Sequence, residues 1–533
     1  MPTPLTCFGL RFVAKGGTDS FFYVIIESEV FPRSIEEIGV KERMSTAIKE
    51  EEITKYMDDG RDFIKEEEIW EQLEKNRNPD RKQVEDIVQK SLSIKTLEPE
   101  ETAALLNVQD PELWQEIFEA AGKVKKKVYD NRIVTFAPLY CGNFCVNNCL
   151  YCGFRRDNQA VRRRVLTLEE VRRETEVLAG KIGHKRLIVV YGEHPATGPK
   201  YIRDTIQTIY EVKVPVKHGY AKIRRVNVNA APMSIEDLKM LKEVGIGTYQ
   251  VFQETYHHET YAKVHPLDTV KANYKWRLYC HHRALEAGID DVALGVLFGL
   301  YDWRFEVMGL LYHARELEKK FGGIGPHTIS FPRIESAVNT PFVQETKYKV
   351  SDEDFKKLIA VIRLSVPYAG MILTAREPAE LRREIITLGM VTQTDASTRI
   401  GIGAYSDRYT KQELERQQFE LGDPRSLDEV VRELSEMGII TSFCTAGYRC
   451  GRTGQLIMEF LRTGKEGVFC KLNAVLTFKE WLDDFASEDT KKAAEKVIQK
   501  EMKELKGMVS EKVYAKFLEY FVRTSQGEKD LYF

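Results

Sequence analysis

Three cysteines, Cys145, Cys149 and Cys152, fall within eight residues at the spacing C-x3-C-x2-C, and an aromatic residue, Tyr151, directly precedes the third. Three thiolates so spaced can hold three irons of a four-iron cluster, which leaves the fourth iron open to a chelating small molecule. A structural zinc site would want a fourth Cys or His at short spacing. Cys141 lies four residues earlier, but its use would break the spacing at the other end. The wider distribution agrees. Of nine cysteines, four lie between 141 and 152 and three between 444 and 470, with only Cys7 and Cys280 alone. Clustering of this kind points to metal or catalysis before disulfides, and a reducing, cytoplasmic location is expected.

Bulk properties set the frame. The chain has 533 residues, 43% hydrophobic and 30% charged, which suits a soluble globular protein with a large core. A net charge of −2 gives no electrostatic case for nucleic acid or an acidic membrane. No apolar run approaches the ~20 residues that span a bilayer, and Phe21–Ile26 is far too short. No basic–apolar–small secretory pattern is present.

The elements that must position the cysteines read as follows. Residues 1–43 match the rest poorly and are expected to be a divergent extension or a start-site artefact. Residues 44–130 are Glu/Lys-rich with helical apolar spacing. From 131 to 426, eight β-branched runs alternate with amphipathic helices: Ile133–Pro138, Arg186–Val190, Ile223–Val228, Thr248–Gln253, Val292–Leu297, Thr328–Pro332, Met371–Thr374 and Gly389–Thr392. Such alternation predicts βαβ units, and eight of them predict an α/β fold closed as a TIM-type (β/α)8 barrel. Chemistry in such barrels sits at the C-terminal strand ends, and the cysteine loop does follow the first strand. Residues 427–533 are expected to form a helical C-terminal domain carrying the second cysteine group.

The loop Cys145-Val-Asn-Asn-Cys149-Leu-Tyr-Cys152, followed by an α/β barrel with Tyr191-Gly192-Glu193 after its second strand, resembles the radical S-adenosylmethionine (radical SAM) family. The resemblance implies a 4Fe-4S cluster and S-adenosyl-L-methionine as cofactors. It places Tyr151, Gly192 and Glu193 at the S-adenosylmethionine site, where Glu193 would accept from the methionine ammonium. The glycines of Gly295-Val-Leu-Phe-Gly299 either admit the adenosine or serve close packing. Further segments narrow the resemblance: Asn131–Tyr140, Ile223–Asn229, Gly245–Tyr256, Gly325–Ser330, Val366–Ile372, Phe443–Gly454 and the tail Asp530–Phe533. They are similar to the tyrosine-lyase branch, above all to the [FeFe]-hydrogenase maturases, which carry a C-terminal domain that the thiazole-pathway tyrosine lyases lack. The resemblance implies cleavage of the tyrosine Cα–Cβ bond to p-cresol and dehydroglycine, with a reductant such as ferredoxin or flavodoxin. Thr374 and Arg376 match the positions that hold the tyrosine carboxylate, which a hydroxyl and a forked guanidinium suit.

The chain also departs from that pattern. The maturases place a second iron–sulfur cluster with a labile iron on C-x2-C-x22-C, and here those positions read Cys444, Gly447 and Cys470. Cys450 could substitute for the missing ligand if the loop were rearranged. The pattern His-Ala-x-His, whose second His would ligate the labile iron, reads His313-Ala-Arg-Glu316, and Glu316 would be a harder ligand. Asp395–Gly401 replaces a Gly-Gly-Ser-Cys stretch. Three readings stay open: a tyrosine lyase whose later CO and cyanide step is altered or lost, a complete maturase, and a C-terminal domain that docks a hydrogenase-maturation partner.

Overall fold

The computed structural model describes residues 48–407 and 412–533. The expectation for residues 1–43 lies outside the described residues. The described residues form one compact unit, so the helical N-terminal region, the barrel and the C-terminal segment pack as a continuous body.

Eight parallel strands close on themselves: β1 (Arg132–Gly142), β2 (Arg186–Tyr191), β3 (Arg225–Asn229), β4 (Tyr249–Gln250), β5 (Val292–Gly295), β6 (Thr328–Ser330), β7 (Gly370–Leu373) and β8 (Gln393–Asp395). β8 returns to β1 through Val134↔Gln393 and Phe136↔Asp395. All eleven residues of β1 are buried, because helices cover the outside and side chains fill the inside. Side chains alternate between those two environments. Phe136, Pro138 and Tyr140 of β1, and Ile188 and Val190 of β2, face inward.

The outer layer contains α1 (Pro111–Tyr129), α2 (Leu168–Val177), α3 (Ile235–Glu243), α4 (Trp303–Lys320) and α5 (Asp352–Ser365). Local signals fix their starts. Thr167 and Glu170 close a capping box before α2, and Asp110 caps α1 ahead of Pro111.

One expectation needs correction. The eighth strand is not Gly389–Thr392 but the following Gln393–Asp395. Gly389, at φ +73°, ends the preceding helix by donating its N–H to the Ile386 carbonyl, so Met390 and Val391 are packed linker rather than ladder. The C-terminal segment is mostly helical, as expected, and adds one strand. After α6 (Leu427–Glu436), β9 (Ile440–Ser442) pairs in parallel with Arg132–Val134 of β1. It is followed by α7 (Ala446–Arg449) and α8 (Lys465–Phe485). β9 therefore brings the second cysteine group to the N-terminal mouth of the barrel, opposite the first. Among the described residues no helix is long and apolar enough to cross a membrane.

Candidate active site

A cavity opens at the C-terminal ends of the strands. The cysteine loop that follows β1 forms one wall, and Cys145, Cys149 and Cys152 all line it. Cys141 does not. It lies one position out of phase on β1, fully buried, with its thiol near its own strand.

Asn147 braces the loop. Its Nδ2 donates to Glu193 Oε2 at 2.5 Å and lies 3.7 Å from Cys145 Sγ, while its Oδ1 accepts the Lys271 N–H at 2.9 Å. Gln418 Nε2 lies 3.5 Å from Cys152 Sγ. The loop sits so close to β2 that a Cβ on Gly192 would come within 2.1 Å of the Phe144 carbonyl oxygen. Glycine at 192 thus admits the cysteine loop itself. Gly295 likewise makes room for the Phe252 ring, at 2.2 Å from a hypothetical Cβ, which decides for close packing there.

Three soft donors on one cavity are the donor set that an iron–sulfur cluster needs. The described cysteines are all free. Burial, against the pull of Lys271, pushes the Cys149 thiol up to about 12, so its thiolate form wants a cationic partner such as cluster iron. These residues fit the group.

Glu193 follows β2 and lines the same cavity. Burial raises its carboxyl pKa, while the Asn147 hydrogen bond and the charges of Arg277 and Lys271 act against that rise. Tyr151, in the cysteine loop, also lines the cavity, with its hydroxyl 2.8 Å from His265 Nε2. Thr374 and Arg376 extend from β7 into the cavity. Thr374 Oγ1 is buried without a hydrogen-bond partner. The Arg376 guanidinium stacks on the Phe419 ring at 3.4 Å and makes one long contact, 3.5 Å, to the Arg333 carbonyl.

The sequence reading missed a charged trio. Glu254 accepts from Lys271 Nζ at 2.7 Å and lies 3.4 Å from Arg277 Nη2, all three on the cavity wall. Glu254 adopts φ +73°, an uncommon backbone for a non-glycine residue that clusters at functional sites. Its place just past a predicted strand was the available signal.

The second cysteine group lies at the other end. Cys444, with φ +45°, follows β9, and its carbonyl accepts from Arg186 Nη1 at 3.2 Å. Cys470 is buried on α8. Gly447 supplies no ligand, so the expected C-x2-C-x22-C set does not fit here. Cys450 is exposed, its thiol 3.5 Å from the Phe533 carbonyl. Glu316 does not join this group. It faces His282 and Lys320, each at 3.9 Å, on the outer side of α4. Asp130, Glu501 and Glu504 also converge, but the Lys471 ammonium already pairs with all three.

A three-cysteine loop after the first strand and a buried carboxylate after the second, both on a (β/α)8 cavity, define a radical SAM enzyme, and the chain belongs to the Radical SAM superfamily. Residues 139–308 match that superfamily, and residues 330–440 match the Biotin and Thiamin Synthesis associated domain. Its particular relationship is to the HydG maturases and the 2-iminoacetate synthases. A crystal structure of HydG, a maturase of the [FeFe]-hydrogenase, is 48% identical, with a TM-score of 0.83, covering 89% of this chain and 100% of that one. HydG from Carboxydothermus hydrogenoformans is 38% identical, with a TM-score of 0.70, over 90% and 99%. A 2-iminoacetate synthase of Salmonella typhimurium is 29% identical over 66% of this chain and 88% of its own length.

Proposed function

We propose that this enzyme is a radical SAM carbon–carbon lyase that cleaves L-tyrosine between Cα and Cβ into p-cresol and dehydroglycine. The observation that carries the reading is the pairing of Arg376 with the unpartnered hydroxyl of Thr374, in the cavity that also holds the cysteine loop. A buried guanidinium beside a free hydroxyl is a receptor for a carboxylate. Kinship with a 2-iminoacetate synthase supports the product, since dehydroglycine is 2-iminoacetate.

Cys145, Cys149 and Cys152 would hold the 4Fe-4S cluster. Reduced by a donor of the ferredoxin or flavodoxin class, it would supply the electron that splits the sulfonium of S-adenosylmethionine into methionine and a deoxyadenosyl radical. Glu193 holds the methionine ammonium, and Asn147 keeps its carboxylate oriented. Gly192 lets the loop bearing the three thiols seat against β2. Arg376 and Thr374 fix the tyrosine carboxylate, so that its amino hydrogen faces the incoming radical. Tyr140, Leu297 and Phe419 wall the cavity and keep water from the radical site. One hydrogen leaves the amino group for deoxyadenosine, the Cα–Cβ bond breaks, and one further electron and proton complete p-cresol. Full-length likeness to HydG supports a place in hydrogenase maturation. Anaerobically reconstituted enzyme given tyrosine, S-adenosylmethionine and dithionite should release p-cresol. Deoxyadenosine formed without p-cresol would overturn the substrate assignment.

A further inference from the structure

Thr374 and Arg376 answer only one pole of an amino acid, its carboxylate. The same cavity holds a side chain suited to the other pole. Asp395 is the last residue of β8, level with Phe136 of β1, and it lines the cavity at 6% exposure. Its Oδ1 accepts the Ala375 N–H at 2.7 Å, and Ala375 stands between Thr374 and Arg376 in the chain. Its Oδ2 accepts the Thr398 hydroxyl at 2.8 Å. The Asp395 carboxylate is thus bonded to the peptide unit that joins the two halves of the carboxylate receptor. An α-amino acid carries its own two charges in the same close apposition, one carbon apart.

No protein cation is paired with this carboxylate. Arg382, on the helix Ala379–Thr387, donates to the Asp395 backbone carbonyl at 2.6 Å and to Thr394 Oγ1 at 2.5 Å, and its ion pair is with Asp423. Arg376 is turned to the Phe419 ring and the Arg333 carbonyl. Asp395 enters no ion pair among the described residues. Tyr140 and Tyr405 are the other titratable groups within its electrostatic reach, and their hydroxyls bond Gln418 Oε1 at 3.0 Å and the Pro138 carbonyl at 2.9 Å. Phe136, Ile188 and Ile372 pack together as an apolar surface in the same cavity. Burial pushes the Asp395 carboxyl up, while the Arg382 charge and the two hydrogen bonds act against that rise. A buried carboxylate without a counter-charge is costly, and one kept on a cavity wall calls for a cationic group on the ligand.

We propose that Asp395 receives the α-ammonium of the substrate and takes one proton from it, forming with Thr374 and Arg376 a clamp for a free α-amino acid. The binding half stands on the cavity alone, and the proton transfer rests on the lyase reading. Loss of a hydrogen atom from an ammonium would leave a cationic nitrogen radical in a buried site, whereas loss from an amine leaves a neutral one. One ammonium N–H bond therefore breaks toward Asp395. The proton forms the Asp395 carboxylic acid, and the electron pair stays on nitrogen as the free amine. After the Cα–Cβ bond has broken, the imine nitrogen of dehydroglycine takes the same proton back, and Asp395 is ionised again. Neither transfer needs an oxidant or a reductant. The clamp admits free α-amino acids and disfavours acids that lack the ammonium.

The test compares the parent with Asp395→Asn, which keeps an acceptor for the Ala375 N–H and removes the charge. L-Tyrosine and 3-(4-hydroxyphenyl)propionate, which lacks the ammonium, are titrated by equilibrium binding into the reconstituted full chain with S-adenosylmethionine and no reductant. D395N should lose about 10- to 150-fold in tyrosine affinity, the worth of one charge-assisted bond. It should bind the propionate at least as well as the parent does, which separates a lost charge from a disturbed turn. With dithionite added, parent turnover should stay level from neutral to mildly alkaline pH, whereas D395N turnover should climb with pH as tyrosine loses its own amino proton. Tyrosine affinity in D395N within about twofold of the parent, an equal loss for both ligands, or an unchanged pH profile would each overturn the proposal. Binding as expected with no p-cresol from the parent overturns the lyase reading alone. Equal tyrosine affinity with p-cresol from both enzymes overturns this inference alone.

Discussion

Replacement of Arg376 by lysine keeps a positive charge but removes the fork and the stack on Phe419. The native guanidinium offers a carboxylate two charge-assisted bonds, and an ammonium reaching from the same backbone keeps one. Each such bond contributes roughly 1.5–3 kcal/mol. Loss of one should weaken tyrosine binding by about 10- to 150-fold, at about 1.4 kcal/mol per decade. Thr374→Val removes a hydroxyl donor to the same carboxylate, also worth roughly 1.5–3 kcal/mol, for a loss of about 10- to 150-fold. The assay is the initial rate of p-cresol formation against tyrosine at saturating S-adenosylmethionine. Tyrosine-independent deoxyadenosine formation serves as control. An R376K enzyme whose tyrosine KM stays within about twofold, or whose defect lies wholly in S-adenosylmethionine binding, would refute the reasoning.

Other expectations rest on separate contacts. Glu193→Gln should weaken S-adenosylmethionine binding about 10- to 100-fold while leaving the KM for tyrosine near the parent value, measured by equilibrium binding and steady-state kinetics. Glu480 lies on α8 and pairs with buried Lys185 at 2.8 Å and Arg224 at 2.5 Å. Glu480→Gln should destabilise the fold by about 3–5 kcal/mol in chemical denaturation, because buried Lys185 loses its counter-charge and Arg224 keeps only Asp530. Burial disfavours the charged imidazole of His258, but hydrogen bonds to Asp62 and Glu66 prevail and lift it to about 9. A group raised in the folded state stabilises fully below its unfolded value near 6.5 and loses that contribution as pH climbs through about 9. The melting temperature should therefore fall across that window, and H258Q should flatten the fall.

Much of this was legible in the sequence, for physical reasons. The cysteine loop is local, eight residues whose spacing alone states the donor set. The barrel was legible because eight buried strands separated by amphipathic helices have few other ways to close. Glu254, Lys271 and Arg277 were not, since charged residues scattered over a strand end, a 3-10 turn and a short helix read as solvated surface until the fold joins them. Glu316 misled because a helical position does not announce its face: His313 turns toward Tyr256 while Glu316, less than one turn on, meets His282.

The most direct measurement of the central claim is a single turnover of reconstituted enzyme with ring-¹³C-labelled L-tyrosine in D₂O. Labelled p-cresol in equal amount to 5′-deoxyadenosine, the nucleoside carrying one deuterium from the exchanged amino group, is the predicted result. Deoxyadenosine free of deuterium, or formed with no labelled p-cresol, would contradict it.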